Sequence, residues 1–71
     1  MNDTDYMREA IAHHRRRNLS KALRAINAAL AIRPNDAYYH DLKGQILFEH
    51  RNWNAAKNSL ARAVQLVPSD A

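Results

Sequence analysis

Sliding the sequence 34 positions along itself brings residues of the same size class into register over most of its length. Ala10 falls on Gly44, Ala22 on Ala56 and Ala29 on Ala63. Leu19 falls on Trp53, Ile26 on Leu60, Leu30 on Val64 and Ile32 on Leu66. Asn18 meets Asn52, Pro34 meets Pro68, and Asp36 meets Asp70. A fixed period of this length marks a chain built from stacked supersecondary units, each too small to bury its apolar face alone. The 71 residues hold two such units, about 3–36 and 37–70, which we take together as a single domain over 1–71.

Each unit reads as two helices joined by a short polar turn. One glycine and two prolines in the whole chain leave little material for the tight turns of a β-rich fold. In unit one the expected helices run over Asp5–Arg16 and Ser20–Ile32, with Asn2, Asp3 or Thr4 as candidate caps. In unit two they run over Ala37–His50, capped by Asn35 or Asp36, and over Asn54–Val67. The second helix of each unit stops before Pro34 or Pro68, because the residue preceding a proline is pushed out of helical geometry. The turns fall at Arg17–Asn18 and Arg51–Asn52. The repeating small residues have a mechanical role: antiparallel helices approach closely only where each offers a flat spot. Ala10, Ala22 and Ala29 supply it in unit one, and Gly44, Ala56 and Ala63 in unit two. Gly44 costs a helix about 0.5–1 kcal/mol relative to alanine, so it is expected at the tightest contact. Leu19 and Trp53 are expected to plug the ends of the two hairpins.

Composition narrows the function classes. There is no cysteine, which removes disulfides and thiolate metal sites. No apolar run approaches the ~18 residues of a membrane span. The first residues, Met1 to Asp5, are acidic and polar, unlike a signal peptide, and the compartment stays open. The net charge of +4 sits in residues 1–35, where seven basic side chains face three acidic ones, while residues 36–71 balance four against four.

These residues resemble the tetratricopeptide repeat, a helix–turn–helix family, over residues 3–70. The family favours a small residue at repeat position 8, alanine at 20 and 27, bulky residues at 17 and 24, and proline at 32. Unit two offers Gly44, Ala56, Ala63, Trp53, Leu60 and Pro68 at these places, and unit one Ala10, Ala22, Ala29, Leu19, Ile26 and Pro34. Departures stand at Tyr6 and His40, where tryptophan is favoured, at Glu9 and Lys43, where leucine is usual, and at Arg17 and Arg51, which replace a joint glycine. The segment from Pro34 to Glu49 is also similar to the repeat region of bacterial cell-envelope zinc metalloproteases. Their H-E-x-x-H motif lies in a separate domain and does not occur in this sequence, so this resemblance implies, as an alternative, an accessory repeat region of such a protease at the cell envelope.

The resemblance implies an all-α fold of four helices in two antiparallel hairpins, a fragment of a right-handed α-solenoid. It also implies a concave face lined by the first helix of each unit. The residues placed there are Thr4, Met7, Ile11, His14 and Arg15 in unit one, and Tyr38, Asp41, Gln45, Phe48 and Glu49 in unit two. Met7, Ile11, Tyr38 and Phe48 would form an apolar stripe with a polar rim, suited to a peptide or helix; the competing reading makes some of them core. Met7 and Ile11 occupy the places where repeats that clamp a terminal carboxylate carry lysine and asparagine, which argues against such a clamp.

No arrangement of catalytic residues emerges. His13 and His14 point to different faces of one helix, and no pair sits at i, i+4 with a carboxylate positioned for zinc; His40 and His50 read as solvated or half-buried helix residues. No phosphate-binding glycine loop and no Ser/His/Asp set is present, so the expectation is a protein-binding or scaffold module with no metal or cofactor. The run Arg15–Arg16–Arg17 allows an alternative, a basic RNA-associated module. The bland reading of that run is favourable charge at a helix C-terminus. Finally, the last helix carries Ala56, Leu60, Ala63, Val64 and Val67 with no following helix to cover them, which leads us to expect self-association.

Overall fold

The computed structural model describes residues 1–67, and every described element is an α-helix: α1 Asp3–Arg15, α2 Leu19–Ile32, α3 Ala37–Glu49 and α4 Trp53–Leu66. The 34-residue period is present in the backbone itself. Asp3 and Ala37 open α1 and α3, Arg15 and Glu49 close them, Leu19 and Trp53 open α2 and α4, and Ile32 and Leu66 close them; each pair lies 34 positions apart. Pro68 and Asp70, the expected counterparts of Pro34 and Asp36, lie outside the described residues. Among the described residues no helix is long and apolar enough to cross a membrane.

Local chemistry explains the boundaries. Asn2 caps α1, two residues earlier than the sequence-based start: its side chain accepts from the Asp5 amide at 2.9 Å and the Asp5 carboxylate returns a bond to the Asn2 amide, a capping box. Asp36 rather than Asn35 caps α3, accepting from the Tyr39 amide at 3.0 Å. The two intra-hairpin turns are the same device used twice. After α1, Arg17 N–H donates to His14 O and Asn18 N–H to His13 O; after α3, Arg51 N–H donates to Phe48 O and Asn52 N–H to Leu47 O. This Schellman pattern requires a left-handed residue, and Arg17 (φ 63°) and Arg51 (φ 61°) supply it. Asn18 and Asn52 finish one helix with their amides and start the next with their side chains, accepting from the Lys21 and Ala55 amides.

α1 packs on α2, α2 on α3, and α3 on α4. One buried cluster joins Ala10 of α1, Ala22, Ile26, Ala29 and Leu30 of α2, and Tyr39, Leu42 and Ile46 of α3. Ile26 and Ile46 are its largest fully enclosed side chains, each worth about 1.5–3 kcal/mol of apolar burial. A second contact closes α3 on α4 through Gly44, Leu47, Ala56 and Ala63, all buried. α3 therefore has cover on two sides, and its apolar residues spread around the helix instead of forming one stripe.

Candidate functional site

The residues expected on the concave face do not form one continuous apolar stripe. Met7 and Ile11 are half-buried and pack against the α1–α2–α3 core, so that half of the expected stripe serves packing. On α3 the expectation fares differently. Tyr38 and Phe48 are 55% and 56% exposed and stand at opposite ends of the helix, with Asp41 and Gln45 between them joined by a 3.1 Å hydrogen bond. Thr4 and Arg15 are exposed on α1. His14, Gln45, Phe48, Glu49 and Leu60 line an open groove of about 520 Å³ that runs from α1 across α3 to α4.

The polar end of this groove is a cross-helix cluster. The His14 ring, through Nε2, pairs with the Glu49 carboxylate, and the Arg17 guanidinium lies 3.5 Å from the same carboxylate. Two of the expected face residues, His14 and Glu49, thus hold each other and tie the end of α1 to the end of α3. A second cluster ties the opposite ends of these helices. Tyr39 Oη donates to Asp3 Oδ2 at 2.7 Å, and Arg33 Nε lies 3.3 Å from the same oxygen. The Tyr39 hydrogen bond, aided by the Arg33 charge, holds the Asp3 carboxyl below its ordinary value, and the same bond together with burial pushes the Tyr39 phenol up to about 12. Neither cluster was visible to sequence reasoning, because the contacts that form them join residues 30 to 36 positions apart. The only trace was a break in the repeat: Asp3 and Arg33 correspond to Ala37 and Val67, so the acid–base pair has no counterpart in unit two.

Trp53 requires a correction. It was expected to plug its hairpin, yet it is 55% exposed and meets Phe48 edge-on, ring centroids 4.9 Å apart at 70°. Its counterpart Leu19 is half-buried. The indole is too large for the space between helices held as close as Gly44 and Ala56 allow, so it lies over the Phe48 ring at the hairpin's rim.

His13 and His14 do face different grooves: His13 lines one with Tyr6, Glu9 and Arg24, and His14 the one described above. His40 donates from Nε2 to the Pro34 carbonyl at 2.7 Å, which secures the link between units. Among the described residues no three His, Cys, Asp or Glu side chains converge as metal ligands would. No family model, curated protein or solved structure matches the chain.

Proposed function

We propose that this chain is a two-repeat module of the tetratricopeptide type that binds a peptide or a helix, rather than an enzyme, and that the α3 side of its groove is the recognition surface. The repeat reading is supported by helices that recur at 34 residues and by two turns with matching dihedrals and hydrogen bonds. The binding reading is carried by one observation: Phe48 is more than half exposed in an open groove whose other walls are Gln45 and the His14–Glu49 pair. An aromatic anchor beside amide and carboxylate groups is the usual make-up of a peptide-binding surface. With Met7 and Ile11 half-buried against the core, recognition falls on Tyr38, Asp41, Gln45, Phe48 and Glu49, with His14 at the rim.

A displayed library of random peptides, selected on the wild-type chain, tests this. Selected peptides should lose about tenfold in affinity against Phe48→Ala, with helicity unchanged by circular dichroism. Selection that yields nothing, or binders indifferent to Phe48 and Tyr38, would remove the reading. The alternative, an RNA-associated module, rests on Arg15, Arg16 and Arg17. Glu49 already faces Arg17, which lowers the positive charge that this run offers to phosphates. Affinity for a single-stranded oligonucleotide that falls steeply with salt and with Arg15→Ala would favour it.

A further inference from the structure

The outer face of α4 differs from its counterpart in unit one in a way that defines an interface. Ile26 and Leu30 of α2 are buried beneath α3; their counterparts on α4 are Leu60, partly exposed, and Val64, 73% exposed. Seven large apolar side chains are exposed among the described residues, and five gather here: Tyr38, Phe48, Trp53, Val64 and Val67. Two grooves, of about 470 and 460 Å³, run along this face and share Leu60 and Val64, forming one furrow. The unit-one counterpart of this furrow is filled by Tyr39, Leu42 and Ile46 of α3, so the fold itself demonstrates that such a face accepts a helix.

We infer that the helix seated there is α4 of a second copy, paired antiparallel about a two-fold axis at Leu60. Along α4 and its C-cap, Trp53, Lys57, partly exposed Leu60, Val64 and Val67 follow steps of four, three, four and three residues, the spacing of a coiled-coil seam, with Val67 just past the last helical turn. Reversing this stripe about Leu60 sets Trp53 against Val67 and Leu60 against Leu60, and brings Lys57 level with Ala63, one residue from Val64 of the other copy. The one charge in the seam is also accommodated. Lys57 comes level with Ala63 and beside Val64 of the other copy, and Asp41 lines the groove that holds both of them. The lysine stem covers the valine while its ammonium reaches the carboxylate. Two-fold symmetry makes this contact twice.

The area is adequate. Five side chains more than half exposed amount to about 500 Å² per copy, if an aromatic ring offers ~150–250 Å² when fully bared. Two copies bury about 1,000 Å², the lower bound for a specific interface, so the dimer should be concentration-dependent. The inference rests on the repeat reading only in treating α4 as the equivalent of α2; it shares Tyr38 and Phe48 with the proposed peptide surface, so a peptide and a second copy would compete for them.

Charge exchange followed by sedimentation equilibrium tests it. Wild type should pass from monomer to dimer as concentration rises. Asp41→Lys and Lys57→Glu each turn both cross-copy contacts from attractive to repulsive, and should weaken the dimer about tenfold or more. An equimolar mixture of the two variants restores both contacts in the heterodimer, and should regain wild-type association. Neither variant removes a buried side chain, and circular dichroism verifies that each stays folded. Val64→Asn, at a side chain with little cover in the monomer, should weaken association without altering helicity. A wild type that stays monomeric up to millimolar concentration would overturn the dimer while leaving the peptide selection untouched. Growth beyond two copies, or single variants that associate as wild type does, would overturn the antiparallel pairing.

Discussion

Tyr39 and Asp3 meet across 2.7 Å at the start of α3 and the start of α1, the phenol donating to the carboxylate. This bond, together with Arg33, joins the first helix of unit one to the first helix of unit two without passing through α2's apolar core. It makes the stack pH-dependent at both extremes. Asp3 is held below its ordinary value of 3.8, so its contribution is complete above that value and is lost as pH falls through the lowered one. Tyr39 is raised from 10.0 to about 12, so its contribution is complete below pH 10 and is lost as pH rises toward 12. Tyr39→Phe should therefore lower the urea midpoint at pH 7 and lower it less at pH 3, below the ordinary carboxylate value, where the contribution of the lowered Asp3 is being lost. Equal losses at the two pH values would show that the ring, and not its hydroxyl, accounts for the effect.

Arg17 and Arg51 are the two residues that the family pattern would have as glycine, and they are also the two with positive φ. A left-handed conformation costs a residue with a Cβ roughly 1–2 kcal/mol, and glycine returns about half of that through its looser unfolded state. Arg51→Gly should thus stabilise the chain by about 0.5–1 kcal/mol, read as a rise in the urea midpoint. Arg17→Gly should gain less, because it also removes the contact with Glu49, an exposed pair worth about 0–1 kcal/mol. A drop in stability for Arg51→Gly would mean that its side chain makes a contact stronger than the backbone penalty.

The period, the helix pairs and the turns were legible in the sequence because each rests on local chemistry repeated twice: Asn18 and Asn52 at the joints, small residues at matched positions, Pro34 after α2. Met7 and Ile11 were misread for a different reason. A helix in a small stack has apolar residues for its hairpin partner, for the next unit and for a ligand, and periodicity alone does not assign them. Their side chains went to the core because α1 packs beside both α2 and the edge of α3. Trp53 was misread because size class at a repeat position does not guarantee room: leucine at 19 is half-buried while indole at 53 is held at the rim. The His14–Glu49 and Asp3–Tyr39 links needed the three-dimensional register of α1 on α3.

Gly44 offers the sharpest test of the α3–α4 contact. A Cβ there would stand 2.6 Å from Cγ and Cδ2 of Leu60 and 3.4 Å from the Ala56 carbonyl oxygen. Two effects then compete in Gly44→Ala. Helix propensity favours alanine by about 0.5–1 kcal/mol, while the Leu60 side chain must move aside. Leu60 is only half-buried, but Cγ is its branch carbon, so it clears the new methyl only by changing rotamer or by α4 moving outward, whereas unit one already places Ala10 against its buried α2 partners. Gly44→Ala should therefore lose up to about 1 kcal/mol, the repacking of Leu60 outweighing the gain in helix propensity. Gly44→Val adds two further methyl groups at a position where the Ala56 backbone cannot retreat, and overpacking of that kind costs about 1–3 kcal/mol. Ala56→Leu, at a residue 2% exposed on the facing helix, should lose a similar amount for the same reason. Urea midpoints for the three variants decide the matter. If Gly44→Val and Ala56→Leu both unfold where wild type does, α3 and α4 are not held at the close approach described, and the exposed position of Trp53 would need another cause.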